Sequence, residues 1–129
     1  MHKSRLAALV IDSKVDDIEQ AKQFWQSALG YSCLEADEAW QDRYAQLETP
    51  NNQPHILIQK VTHPSRVHLD IETDNIEAEV KRLTKLGAKV IKVMPRWTVM
   101  QAPSGHNFCV VQPQRDDFAS DEQVNVWSE

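Results

Sequence analysis

The residues best suited to chemistry sit in "RVHLDIE", residues 66–72. His68 and Asp70 stand two apart there, among Val67, Leu69 and Ile71. An imidazole can gain or lose a proton near neutral pH, and a carboxylate beside it raises its basicity or holds a neighbouring group. The same two side chains can also do no more than satisfy hydrogen bonds in a polar wall, because buried polar groups need partners. The residues alone leave both readings open. Four further side chains are candidates for ligand contact. Arg66 alternates with His68 and Asp70. Trp97 can stack on a flat ligand. Asn107 can donate, and Cys109 shares its strand face. Nothing nearby in the sequence activates Cys109, so a soft apolar wall is favoured over a nucleophile.

These residues need elements to position them. Alternation along a strand puts Arg66, His68 and Asp70 on one face and Val67, Leu69 and Ile71 on the other, the apolar set facing a helix over 75–86. That helix has a counterpart. "DIEQAKQFWQSALG" (17–30) and "DNIEAEVKRLTKLG" (74–87) both run from Asp to Gly over the same distance, with apolar residues at helical spacing. Asp17 and Asp74 suit the N-cap, and Gly30 and Gly87 suit the left-handed turn after the helix. Phe24 and Trp25 then belong to a helix–sheet core.

A strand precedes each helix, at 6–12 and 66–72. Three short strands follow each: 32–36, 44–48 and 55–60 in the first half, and 88–93, 97–102 and 107–112 in the second. The order is βαβββ twice, joined near "VTHPS" (61–65). A single ferredoxin-like α+β domain with extra strands is the rival arrangement. "EADEAWQDR" (35–43) reads as a solvated turn. The chain has 3 glycines. Gly30 and Gly87 end helices and Gly105 fits a hairpin, which leaves none for a phosphate-cradling loop.

Bulk properties fit one soluble domain of 129 residues. A net charge of −5 argues against nucleic acid. No apolar run approaches the roughly 20 residues that span a bilayer, and no leader peptide is evident. Cys33 and Cys109 lack framework spacing and read as free thiols in a reducing cytoplasm.

Three stretches carry a family resemblance: "FWQSALG" (24–30), "VHLDIETDNIEAEVKRLTKLGAKVI" (67–91) and "WTVMQAPSGHNFCVVQP" (97–113). In this order the chain resembles the vicinal oxygen chelate superfamily, the glyoxalase and bleomycin-resistance-like proteins, and within it the short glyoxalase-like domains. The resemblance implies an α+β fold in which two βαβββ modules form a cup-shaped curved mixed sheet with the helices outside. The domain would span 1–114, with module one at about 5–61 and module two at about 65–113, followed by an acidic tail at 115–129. Trp127 would anchor that tail to the body or to a partner subunit. A cup of this kind implies a small-molecule pocket, and the family implies a homodimer.

Metal-dependent members place His, Glu or Gln ligands on four cup-facing strands. His68 matches one of those positions. Cys109 falls where a glutamate is expected, and the other two positions fall on Ile56 and on Ala8 or an apolar neighbour. His2, His55, His63 and His106 do not fill the gaps. The expectation is therefore a metal-independent glyoxalase-like protein with no cofactor, His68 and Asp70 carrying any chemistry. The alternatives are a metal-dependent lyase, isomerase or dioxygenase, and a non-catalytic sequestering protein.

Overall fold

The computed structural model describes residues 1–128. In chain order the elements are β1 (His2–Lys14), α1 (Ile18–Leu29), β2 (Tyr44–Leu47), β3 (His55–Val61), β4 (Arg66–Thr73), α2 (Ile76–Lys85), β5 (Lys89–Val93), β6 (Trp97–Gln101), β7 (Asn107–Val111) and β8 (Asn125–Trp127). The fold is α+β with a mixed sheet. The backbone divides into two compact units, one of residues 8–68 and one of residues 1–7 with 69 onward. The divisions fall inside β1 and β4, so each of these strands runs through both.

In the 8–68 unit, β3 pairs parallel to β1 and antiparallel to β2. Helix α1 and β2 lie between the parallel strands in the chain. The N-cap of α1 is Asp17, whose carboxylate accepts the Glu19 N–H at 3.0 Å, satisfying a donor the helix itself leaves unpaired. Gly30 takes φ 75° at its end. Ile18, Ala45, Leu47 and Ile58 form the buried core, with Ile11, Ala21 and Trp25 packed against it. Each large side chain so buried contributes roughly 1.5–3 kcal/mol. Phe24 does not join them. It is 61 % exposed and sits edge-on to Trp25, ring centroids 5.0 Å apart. The strand expected at 32–36 reduces to one bridge, Cys33 to Leu47. Glu35, Ala36 and Asp37 are poor strand formers and lead into the turns of residues 38–43.

The other unit repeats this pairing. β7 lies parallel to β4 and antiparallel to β6, and β5 extends the sheet beyond β6. Leu83, Ala88, Met100 and Val110 form its core, with Ile71, Ile76 and Val80 against them. The N-cap of α2 is Asn75, accepting from Ala78 N–H at 3.0 Å, rather than Asp74. Asp74 instead accepts the backbone N–H of Lys3 at 2.9 Å.

The acidic tail is docked on this unit. β8 pairs antiparallel with the first residues of β1, His2 opposite Trp127. The Trp127 indole donates to Ser4 Oγ at 2.8 Å, and the Arg82 guanidinium lies 3.9 Å from its ring centroid. Arg5 donates to Glu72, Asp117 and Asp121 at 2.6, 2.6 and 2.7 Å. No helix among the described residues is long and apolar enough to cross a membrane.

Candidate functional site

β1 extends two residues past the predicted end, and this places Asp12 inside a strand. Asp12 is 2 % exposed. Burying a carboxylate is costly unless it is hydrogen-bonded or paired. Its Oδ2 meets His68 Nδ1 at 2.7 Å. A carboxylate only accepts, so Nδ1 carries the proton in this bond and Nε2 presents either a lone pair or a second N–H. Arg66 Nε lies 3.6 Å and His63 Nε2 3.9 Å from the same Oδ2. Asp12 Oδ1 is buried and has no hydrogen-bond partner among the described residues.

The site continues across the strands. Asp12 stands opposite Gln59, and Gln59 opposite Tyr44. Gln59 Nε2 donates to the Tyr44 hydroxyl at 3.3 Å. Register partners point to the same side of a sheet. A polar row therefore runs Tyr44, Gln59, Asp12, His68 through four strands.

His68 is partly buried, its side chain 13 % exposed. Arg66 is about half exposed, at 47 %. The expected apolar side of β4 is only partly realised. Ile71 packs with the α2 core, but Val67 and Leu69 are exposed at 56 % and 43 %. Asp70 stands opposite Cys109 in the parallel β4–β7 pair. Cys109 and Cys33 are both free and half-buried. Asn107 shares the Cys109 face, and its Oδ1 is buried without a hydrogen-bond partner among the described residues. Trp97 lies across from Val111 at the far end of the β6–β7 pair, separated from Cys109 by the length of two residues.

Two of the family's metal positions carry no donor. Ala8 is buried, and Ile56 packs against the core of residues 8–68. A different donor set is present: His68, Asp70 and Cys109 each offer one ligand atom, all within 4.8 Å of one another. One nitrogen, one oxygen and one sulfur suit zinc or a similar transition metal. A carboxylate such as Asp12 on the second ring nitrogen is the usual companion of a metal-bound histidine. These residues fit a divalent ion. Asp12, Gln59 and His63 were not singled out from the sequence as contributors, because their value lies in partners 47 to 56 positions away.

Fold and site together define an α+β protein of duplicated modules with a buried carboxylate–imidazole pair. The chain matches the Glyoxalase-like domain over residues 8–111 and belongs to that family, within the vicinal oxygen chelate superfamily. No curated protein sequence matches it. Among solved structures it is similar to a Streptomyces coelicolor methylmalonyl-CoA epimerase variant in complex with 2-nitronate-propionyl-CoA, with a TM-score of 0.62 and 17% identity over 84% of this chain and 96% of that one. It is similar to the Mycobacterium tuberculosis methylmalonyl-CoA epimerase, with a TM-score of 0.61 and 16% identity over 89% and 91%. It is also similar to a protein described as NAD-dependent benzaldehyde dehydrogenase from Legionella pneumophila, with a TM-score of 0.62 and 9% identity over 83% and 98%. Names this different on one fold carry the fold and not the reaction.

Proposed function

We propose that this chain binds a small oxygen-bearing molecule and exchanges a proton with it through His68, by chemistry that needs no metal. The observation carrying this reading is the 2.7 Å bond from His68 Nδ1 to the buried Asp12. With Nδ1–H held by the carboxylate, Nε2 is fixed in direction and is the ring atom that accepts a proton. His68 is the catalytic residue and Asp12 a positioning residue. Asp70 adds negative charge on the same strand face and supports the imidazolium formed when the proton arrives. Arg66, Trp97, Asn107 and Cys109 contact the ligand in this reading. The protein acts in the cytoplasm as a homodimer, and sedimentation at twice the 14.8 kDa chain mass checks the assembly.

The test is solvent deuterium exchange, followed by NMR, at carbon next to the carbonyl or carboxyl group of 2-hydroxyketones, of 2-hydroxy and 2-oxo acids, and of thioesters. Exchange with at least one class, abolished in His68→Gln and reduced about a hundredfold in Asp12→Asn, is the expected result. Exchange unchanged in His68→Gln, or absent across all three classes, would overturn the reading.

A second reading rests on the donor trio. His68, Asp70 and Cys109 would hold a divalent ion, which when bound polarises a substrate oxygen. Asp12 would then orient the His68 ring, and Asn107 would steer the ligand.

A further inference from the structure

We infer that the ligand at this site is a small hydroxycarboxylate, with Arg66 and His63 selecting its carboxylate and Asp12 its hydroxyl. This deepens the His68 reading and rests on it. Three observations combine.

The first is an unmet acceptor. Asp12 Oδ1 is buried without a partner, while Oδ2 of the same carboxylate takes the His68 N–H and two longer contacts. Leaving a buried acceptor unpaired costs about 1–3 kcal/mol. A ligand donor arriving there removes that cost. His68 and Gln59 flank Asp12 in the polar row, so a donor at Oδ1 also lies beside the imidazole.

The second is an under-used cation. Arg66 approaches Asp12 through Nε at 3.6 Å, longer than a hydrogen bond. Its two terminal nitrogens make no hydrogen bond among the described residues, and the side chain is 47 % exposed. A guanidinium fork is built for paired bonds to a carboxylate. His63 is held through Nδ1 at the Pro64 carbonyl, 2.9 Å away, and turns Nε2 toward the same place. As a plain surface ion pair, the Arg66–Asp12 contact would be worth at most about 1 kcal/mol.

The third is charge placement. The chain is acidic overall, at −5. Yet His63, Arg66 and His68 all approach Oδ2 of Asp12, where β1 ends and β4 begins. N–H groups clustered in this way suit the oxygens of an incoming anion.

Hydroxyl and carboxylate must be close neighbours on the ligand, since Oδ1 and Arg66 flank the same Oδ2. A 2-hydroxy acid has that spacing. The C–H beside its carboxylate would face His68.

The probes are glycolate, its neutral amide glycolamide, and acetate, titrated into ¹⁵N-labelled protein. Glycolate binding at least fivefold tighter than either comparator is expected, with the largest shifts at Asp12, Arg66 and His68. Arg66→Gln should erase the preference over glycolamide, and His63→Gln should weaken it. Both side chains are substantially exposed, so both variants keep the fold. Equal affinity for glycolamide, a preference that survives Arg66→Gln, or no binding of glycolate overturns the inference. The same spectra report the His68 Nδ1–H. If that signal is present while glycolate fails, this inference alone falls. If the signal is absent, the His68 reading falls with it.

Discussion

Asp12 and His68 lie 56 positions apart in the chain and 2.7 Å apart in the fold. At the residue scale this bond has consequences that need no substrate. In the unaltered protein the neutral ring carries its proton on Nδ1, because the carboxylate cannot donate. Asp12→Asn removes that constraint, since an amide presents either an oxygen or an N–H. Long-range ¹⁵N–¹H NMR on histidine-labelled protein should show a single Nδ1–H tautomer at high pH in the parent and a mixture in Asp12→Asn. A mixture already in the parent would refute the assignment. Stability should separate the two histidines that approach Asp12. His68→Ala leaves a buried carboxylate without its closest donor and should cost about 3 kcal/mol in urea unfolding. His63→Ala removes a 3.9 Å contact from a side chain that is 39 % exposed. It should cost under about 1 kcal/mol. Equal losses would mean that the His68 bond is not a paired buried interaction.

Among the elements, helix ends and buried side chains of α2 set measurable parts of the stability. Gly30 and Gly87 close equivalent helices with positive φ, at 75° and 106°. A Cβ at Gly30 would meet nothing within 4 Å, whereas at Gly87 it would meet Pro103 Cγ at 3.1 Å. Gly30→Ala should therefore cost about 1–2 kcal/mol of backbone strain alone. Gly87→Ala should cost more, and thermal melts of the two variants compare them directly. Glu79 on α2 is fully buried and accepts from Arg82 at 2.7 and 2.8 Å and from His2 at 2.8 Å. Burial pushes its carboxyl pKa up, but hydrogen bonds from Arg82, His2 and Ser4 outweigh that and hold it below its ordinary 4.5. A carboxyl depressed in the fold stabilises fully above its unfolded value. That stability is lost as pH falls through the lower folded value. Urea midpoints measured from pH 7 to pH 2 should fall on the acid side of 4.5 in the parent, and more shallowly in Glu79→Gln. The repeat behind these elements was legible because its signals are local: Asp and Gly at matched spacing around apolar periods. The second cap was not, because Asp74 and Asn75 both suit the position and Lys3, far away in sequence, claims Asp74. The docking of the tail was legible only as Trp127, since the Arg5 ion pairs that hold it join residues more than 110 apart.

At the scale of the whole molecule, family membership fixes the fold and leaves the chemistry to side chains that differ among its members. His68 was legible because it falls at a recognisable position before α2. Its partner was not, because one aspartate at the end of an apolar run looks like any strand terminus until β1 and β4 are set side by side. The same limit applies to the donor trio of His68, Asp70 and Cys109, in which Asp70 matches no family ligand position. Whether that trio holds an ion has a global readout. An ion that binds the folded chain and not the unfolded one stabilises by mass action, about 2.7 kcal/mol at a hundred times its dissociation constant. For a domain of this size that is a rise in Tm on the order of 10 °C. The metal-independent reading expects purified protein to melt at one temperature before and after dialysis against a strong chelator, and to gain less than about 2 °C on addition of zinc, nickel or ferrous iron. A rise near the larger figure, lost in both His68→Ala and Cys109→Ser but retained in Cys33→Ser, would overturn that expectation in favour of the ion. The Cys33 control matters because a free thiol elsewhere in the chain can bind soft metals without building a site. Only a response confined to the trio assigns the stability to it.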